Sequence, residues 1–182
     1  MIIRLSDRLP QPWKNGLGRT RQIAVHPVGA GTDDFVWRVS IAEVDSAAPF
    51  SSFPGIDRQI ALLDGNGFTM TFDDDRVHSL TTPFTPLAFA GEAKVAVSLV
   101  DGPTRDFNLM VRRAQAQGEL QVWRTAGGHS LDPAVALVYC AQGVIATADG
   151  HLYAGDVWRP GGRQVTLFES AVALVVRITA SA

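Results

Sequence analysis

The sequence predicts an all-β fold made of short antiparallel strands. Runs rich in Val, Ile, Leu, Phe and Thr recur along the chain, and pairs of a short polar residue with glycine interrupt them. Such pairs favour the positive φ of tight hairpin turns, so they predict antiparallel neighbours rather than parallel strands joined by helices. The pairs are Asn15-Gly16, Asp64-Gly65, Asn66-Gly67, Asp101-Gly102 and Asp149-Gly150. Helix is expected to be scarce, with residues 112–117 as a mild candidate and a turn near Asp132-Pro133.

Alternation of apolar and polar residues supports the strand prediction. In residues 35–42, Trp37, Val39 and Ile41 share one face, while Arg38 and Ser40 share the other. Residues 68–72 and 119–124 alternate in the same way. The apolar face of each strand is expected to pack into a core.

An internal repeat indicates that one β unit occurs twice. Residues 62–67 lead to the apolar run 93–100, and residues 138–143 lead, at nearly the same separation, to the apolar run 171–178. Two small barrels or jelly rolls would satisfy this pattern, although hairpin periodicity alone could mimic it.

Composition narrows the classes of partner. The chain has 182 residues, 46% hydrophobic and 19% charged, with a formal net charge of -2 and no basic stripe. It is therefore long enough to bury a core, and nucleic acid is not expected as a partner. No apolar run approaches the roughly 20 residues that cross a bilayer, so we expect no membrane partner and a cytoplasmic location. The single cysteine, Cys140, lies in an apolar run and is expected to be a buried structural thiol.

The histidines do not have the spacing of metal ligands. His26, His78, His129 and His151 are isolated, and three of them stand beside Pro, Gly or Asp in predicted turns. A metal site in a β fold needs clustered His and carboxylate ligands on neighbouring strands. The glycines that follow Asn15 lack the Lys-Ser/Thr of a nucleotide-binding loop. We therefore predict no metal and no cofactor.

Three polar-aromatic clusters mark a candidate site: residues 13–20, 49–58 and 106–110. Each places charged or amide groups beside aromatics and turn residues. Arg58 is the best candidate for an anion anchor, because a guanidinium matches a carboxylate with two parallel hydrogen bonds. Arg38 and Ser40 must line a cavity or meet solvent, since their strand face lies opposite the apolar one.

The other candidates have structural alternatives. Asn108 can donate to and accept from a polar ligand, with Phe107 and Met110 as apolar wall. Asp106 either binds the ligand or holds an arginine in place. In the loop at 49–58, Phe50 and Phe53 are interpreted as structural plugs, and Asp57-Arg58 as either a local ion pair or an anchor. Asn15 is also explained as a turn residue, and Trp13 as a cap on the core. The predicted ligand-binding set is Arg58, Arg38, Ser40, Asn108, Asp106, Asn15, Phe53 and Met110.

Four separated motifs together resemble the HutD/Ves family of small cupin-like proteins. They are residues 13–20, 37–40, 49–58, and 106–110 with Arg113, and they occur in the family's order. The resemblance implies a bicupin fold with a first unit at 1–113 and a second at 114–182, packed as one compact domain. It also implies a link to histidine utilisation, in which the protein binds a pathway metabolite such as urocanate or formylglutamate.

The sequence thus predicts a metal-independent protein that binds a small carboxylate metabolite in a regulatory or accessory role. The alternative is a cofactor-free isomerase, lyase or amide hydrolase that acts on a similar acid. An enzyme would need a carboxyl group of perturbed pKa near the anchor, and Asp106, Asp57 and Glu43 are the candidates. A purely structural module would instead have a pocket filled by side chains. The sequence also permits a homodimer.

Overall fold

The computed structural model of the protein is all-β, as predicted. It describes residues 1–13 and 15–181, so that Lys14 of the first polar-aromatic cluster lies outside the described residues. Apart from a 3₁₀ turn at Leu5–Asp7, the described residues form strands, turns and loops. Among them, no helix is long and apolar enough to span a bilayer.

The strands of the described chain are short, and they alternate with turns throughout. In chain order they are β1 (Ile2–Ile3), β2 (Gln11–Pro12), β3 (Gly18–His26), β4 (Trp37–Val44), β5 (Ile56–Asp64), β6 (Phe68–Phe72), β7 (Val77–Leu80), β8 (Leu87–Ala90), β9 (Val95–Leu99), β10 (Thr104–Arg112), β11 (Ala116–Trp123), β12 (Gly127–Ser130), β13 (Val135–Gln142), β14 (Val144–Thr147), β15 (Gly150–Tyr153), β16 (Val157–Trp158), β17 (Gln164–Leu167) and β18 (Val172–Ala180).

The N-terminal unit comprises Leu9–Ala116 and Ser181. It has a six-stranded sheet in the order β2-β3-β4-β10-β5-β8 and a three-stranded sheet in the order β7-β6-β9. Ile60 and Leu62 of the larger sheet pack with Phe68 and Met70 of the smaller one in a buried apolar cluster. This cluster joins the two sheets because each presents its apolar face to the other.

The C-terminal unit comprises Met1–Arg8 and Gln117–Ala180. Its sheets have the orders β1-β16-β13-β18-β11 and β12-β17-β14-β15. The predicted division placed the first eight residues in the other unit, whereas β1 pairs with β16 here.

Cys140 is 0% exposed in the core of this unit, and burial raises its pKa to about 12. The prediction of a buried structural thiol is therefore confirmed.

Both units use the same scheme of strand pairing. In the first, β5 pairs with β8 and β10, and β6 pairs with β7 and β9. In the second, β13 pairs with β16 and β18, and β14 pairs with β15 and β17. The sequence alignment of the repeat was wrong by one strand: residues 93–100 contain β9, but residues 171–178 belong to β18, whose counterpart is β10.

The glycine pairs have two structural roles rather than one. Asn15-Gly16 and Asp149-Gly150 connect antiparallel partners, as predicted. The other three pairs carry the chain from one sheet to the other, at the links from β5 to β6 and from β9 to β10. Gly67 shows why glycine is needed there: its φ is +77°, and an added Cβ would lie 2.0 Å from the backbone oxygen of Leu80.

Two local predictions are wrong. Residues 112–117 form the end of β10, a turn and the start of β11, with the Gln115 N–H donating to the Arg112 carbonyl, so they are not a helix. His26, His129 and His151 lie in β3, β12 and β15 rather than in the predicted turns, and His78 lies in β7. The helix was predicted because Arg, Ala and Gln favour helices, a propensity that the strand pairing overrides. The histidines were misassigned because strand residues next to Gly and Pro carry the same local sequence signals as turns.

Candidate ligand-binding pocket

A cavity of about 480 Å³ opens in the N-terminal unit, on the inner face of its larger sheet. All eight residues of the predicted set line it, which are Arg58, Arg38, Ser40, Asn108, Asp106, Asn15, Phe53 and Met110. The interpretation of the clusters as a purely structural module required a pocket filled by side chains, whereas the structure has a cavity here. That these side chains bind a ligand stays a prediction.

Strand β10 forms the middle of the cavity wall, with β4 on one side and β5 on the other. Its alternate residues Asp106, Asn108 and Met110 face the cavity, because side chains along a strand alternate between the two faces. Phe107 lies between them, is fully buried and is not among the lining residues. The prediction that Phe107 contributes to the pocket wall is therefore wrong.

The cavity wall has three levels, each formed by one residue of β10 with its cross-strand partners on β4 and β5. The first, the arginine level, is formed by Met110 and its partners. Met110 lies opposite Arg38 of β4 and opposite Arg58 of β5. The register thus places one guanidinium-bearing residue on each side of the same methionine. Both of the predicted cationic residues consequently belong to one end of the cavity.

Arg58 is the most deeply buried cation of the site, with 5% of its surface exposed. Its guanidinium carbon lies 5.0 Å from the ring centre of Phe50, 5.6 Å from that of Phe53 and 4.9 Å from that of Phe89. Burial lowers the pKa of Arg58 to about 10, so the group remains a cation at neutral pH. Its Nε is buried without a hydrogen-bond partner in the described chain.

The aromatic contacts of Arg58 explain the sequence of the 49–58 loop. Ring faces attract a cation, and they hold the long side chain in one orientation. Phe50 and Phe53 therefore hold the Arg58 side chain as well as pack against the buried apolar clusters of this unit. Phe89 was missed by the sequence analysis, since it lies in β8, directly across from Arg58 and far from the three clusters.

Arg38 is the second cation of the cavity wall. The Arg38 Nε–H donates to Gln22 Oε1 at 2.9 Å, and burial lowers the pKa of this guanidinium.

At the second level, the amide level, Asn108 lies opposite Ser40 of β4 and Ile60 of β5. Ser40 and Asn108 are 2% and 8% exposed, and the Asn108 Oδ1 has no hydrogen-bond partner among the described residues.

The third level, the carboxylate level, is formed by Asp106 opposite Ala42 and Leu62. Asp106 is 1% exposed, and neither carboxylate oxygen has a hydrogen-bond partner in the part of the chain that the structure describes. Burial raises the pKa of Asp106 to about 7, although the positive charge of Arg58 acts in the opposite direction. No salt bridge joins Asp106 to Arg58 among the described residues, although their opposite charges attract. That Asp106 holds an arginine in place therefore stays a prediction.

The remaining carboxylates near the clusters are already paired. Asp57 forms an ion pair with Arg113 at 2.8 Å, so it does not pair with Arg58 as one interpretation of the loop required. Glu43 pairs with Arg19 and, at 3.0 Å, with Arg21. Burial acts to raise the pKa of Glu43, but these hydrogen bonds outweigh it and lower the pKa. Of the three candidates for an acid or base, the cavity contains Asp106.

The first cluster forms the mouth of the cavity. Asn15 is exposed there, and its Oδ1 accepts a hydrogen bond from the Leu17 N–H at 3.0 Å. The Trp13 Nε1–H donates to the Thr20 hydroxyl at 2.8 Å, and both residues line the cavity. Asn15 therefore has the turn role that its sequence indicated and also borders the opening.

The donor set of the cavity does not fit a metal ion. Across residues 1–13 and 15–181, no three His, Cys, Asp or Glu side chains come together as metal ligands would. The charged groups on the cavity wall are one carboxylate and two guanidiniums. Divalent ions prefer several carboxylate or imidazole ligands, whereas guanidiniums repel them.

Comparison with known proteins identifies the family. The HutD family model matches residues 5–174. The chain belongs to the HutD family. An uncharacterized 21.2 kDa protein in the hutC 3' region of Pseudomonas putida is 38% identical over 120 residues, which are 66% of this chain and 62% of that protein. Protein Ves of Escherichia fergusonii is 31% identical over 165 residues, which are 87% of this chain and 82% of that one. The resemblance to the HutD/Ves family is thus confirmed, although the chain spans about three-fifths of the Pseudomonas putida relative.

Solved structures confirm the fold. HutD from Pseudomonas fluorescens SBW25, solved in a formate condition, superposes with a TM-score of 0.85 and 29% identity, covering 100% of this chain and 99% of that one. A cupin 2 conserved barrel domain protein from Leptotrichia buccalis superposes with a TM-score of 0.60 at 10% identity, covering 100% of this chain and 96% of that one. The second likeness concerns the fold alone. It shows that this HutD-family chain has a cupin-like fold.

Proposed function

We propose that this HutD-family protein binds a small carboxylate metabolite, of the urocanate or formylglutamate type, without a metal or cofactor. Its role in histidine utilisation is regulatory or accessory. The observation that supports the proposal best is Arg58, a cation that is 5% exposed, faces the cavity and forms no salt bridge in the described chain. The negative charge of Asp106 acts on Arg58 without a direct ion pair. A buried cation that makes no direct pair is unfavourable, and a bound carboxylate would supply that pair.

The two guanidiniums suit a carboxylate better than a point cation would. Arg58 and Arg38 flank Met110, so their forked donors face one end of the cavity. A guanidinium donates two parallel hydrogen bonds to the two oxygens of one carboxylate. Low dielectric around a buried group strengthens that attraction relative to water.

The rest of the cavity fits a small planar or partly apolar acid. Its volume of about 480 Å³ lies in the range typical of small-molecule sites. Phe53, Phe50 and Met110 provide apolar wall, and Asn108 and Ser40 provide polar groups between the two ends. A free inorganic anion would leave most of this wall without a contact.

The relatives support the choice of pathway. The Pseudomonas putida relative is described by its place in the hutC 3' region, and the Pseudomonas fluorescens structure is of a protein named HutD. Small acids of histidine degradation are therefore the first ligands to test.

A thermal-shift screen tests the proposal directly. The purified protein is heated with urocanate, histidine, formiminoglutamate, formylglutamate, glutamate or formate, each at millimolar concentration. At about 100 times Kd, a ligand stabilises the folded state by about 2.7 kcal/mol, so a pathway acid should raise Tm by several degrees. Absence of a shift with every acid would overturn the proposal.

A cofactor-free enzyme is the second candidate, and Asp106 favours it. This carboxyl is buried in the cavity, and its pKa of about 7 is suited to proton transfer at neutral pH. An isomerase, lyase or amide hydrolase would use it as acid or base. Incubation of the stabilising acid with the protein, followed by NMR, decides the question: a consumed ligand supports an enzyme, and an unchanged ligand supports a binding protein.

Metal removal is expected to leave the protein unchanged. Because the cavity wall carries two guanidiniums and a single carboxylate, we expect dialysis against EDTA to change neither Tm nor the ligand-induced shift. A bound ion would stabilise the folded state by mass action, so a fall in Tm that added Zn²⁺ or Mn²⁺ reverses would contradict metal independence.

A further inference from the structure

We propose that Asp106 determines ligand specificity, and that the ligand is bipolar, with a carboxylate at the arginine level and an N–H donor at the carboxylate level. The anionic end of this inference rests on the proposed function. The donor end rests on Asp106 and its own surroundings. The proposal thus restricts the class of ligand to small acids that also carry an N–H group.

Asp106 has no donor from the protein. Its cross-strand partners are Ala42 and Leu62, which carry no hydrogen-bonding side chains. Both carboxylate oxygens are buried and unpartnered among the described residues, although they line an open cavity. Buried polar groups are nearly always hydrogen-bonded, and an exception inside a pocket points to a donor that arrives with the ligand.

Charge decides which end of the ligand meets Asp106. A second carboxylate beside Asp106 would repel it, whereas the arginine level attracts an anion. With Asp106 ionised, Arg38, Arg58 and Asp106 sum to one positive charge, which one ligand carboxylate neutralises. The group at the carboxylate level must therefore be a donor rather than a further anion.

The register separates the two ends by the length of a small molecule. Asp106 and Met110 are four residues apart on β10, which corresponds to about 13 Å of strand. The Arg58 side chain shortens the gap, because its charge and that of Asp106 act on each other, and Asn108 stands midway. The ligand has to bridge only the remaining gap between the guanidiniums and the Asp106 carboxylate, which suits a short planar acid with a carboxylate at one end and an N–H group at the other.

Two acids that differ in one atom test the proposal. Trans-3-(pyrrol-2-yl)acrylate carries an N–H in the place where trans-3-(2-furyl)acrylate carries an oxygen, and the two are otherwise alike in shape and charge. Isothermal titration at pH 8 is expected to give the pyrrole acid an affinity at least about tenfold higher, because a hydrogen bond to a buried carboxylate is made by that acid alone.

Variants assign the difference to Asp106. In Asp106→Ala, and in Asp106→Leu as a second apolar replacement, the ratio between the two acids should fall below about threefold. Asp64→Ala is the matched control, because Asp64 is an exposed aspartate of the same sheet, pairs with Arg105 and does not line the cavity. It should keep the full ratio.

The outcomes separate this inference from the proposed function. Equal binding of the two acids by the parent protein overturns the role of Asp106, and so does a ratio that survives in both Asp106 variants. If the acids bind equally and Arg58→Ala abolishes both, the carboxylate site stands and the bipolar ligand fails. Binding of neither acid at millimolar concentration overturns the bipolar ligand, whereas the proposed function is decided by the thermal-shift screen of the pathway acids.

Discussion

Arg58→Ala is expected to lower the affinity for small carboxylates by at least about 30-fold, or about 2 kcal/mol. Arg58 is 5% exposed, and its guanidinium is held between the rings of Phe50, Phe53 and Phe89. The side chain is therefore already ordered in the unbound protein, and a carboxylate gains the pair without the entropy cost of immobilising it. Titration of the acid that stabilises the parent protein most measures the loss.

Two further variants show whether the loss belongs to the guanidinium. Arg58→Lys keeps a positive charge but lacks the planar fork, so we expect an affinity between those of the parent and Arg58→Ala. Arg105→Ala is the matched control, because Arg105 lies on β10, is exposed and pairs with Asp64 at 3.2 Å outside the cavity. Unchanged affinity in Arg58→Ala, with the fold intact by circular dichroism, would remove Arg58 from the site.

The candidate site could be located from the sequence because polar residues that share one face of a strand must meet either solvent or a cavity. Arg38 and Ser40 alternate with the apolar face of β4, and the structure shows that both faces of this strand are buried around them. The alternation could not show whether the polar face meets solvent or a cavity. That depends on the loop at 49–58 and on the opposite sheet, which are distant in sequence.

Long-range pairing explains what the sequence could not supply. Phe89 and Arg58 are directly opposite in register, but 31 positions separate them in the chain and no local pattern links them. Phe107 was misassigned because the 106–110 cluster was interpreted as one patch, whereas the period of two residues puts Phe107 on the far face. The repeat was shifted by one strand because β9 and β18 are both Val-rich runs.

Loss of charge at Asp106 should stabilise the protein, and more so as the pH rises. Burial raises the pKa of Asp106 to about 7, whereas an unfolded aspartate titrates near 3.9. Between these values the folded state holds a proton that the unfolded state has released, so the free energy of unfolding falls as the pH increases. Three pKa units correspond to about 4 kcal/mol at most, reached above pH 7.

Asp106→Asn removes this titration while nearly preserving the shape of the side chain. Urea unfolding at pH 4, 6 and 8 should therefore show the variant equal to the parent at pH 4 and more stable by roughly 1–4 kcal/mol at pH 8. Asp64→Asn, which alters an exposed aspartate paired with Arg105, should show no gain that grows with pH. An Asp106→Asn difference that is the same at pH 4 and pH 8 would contradict the raised pKa.

The sign of that result bears on function as well as on stability. A carboxyl group that destabilises the fold at neutral pH, and that lacks a hydrogen-bond partner in the described chain, adds nothing to the core around Ala42 and Leu62. Perturbed groups of this kind cluster in binding and catalytic sites, where a ligand supplies the missing partner. If Asp106→Asn is more stable at pH 8 and Asp106→Ala loses discrimination between the pyrrole and furan acids, then Asp106 lowers the stability of the unbound fold at a position that recognition requires.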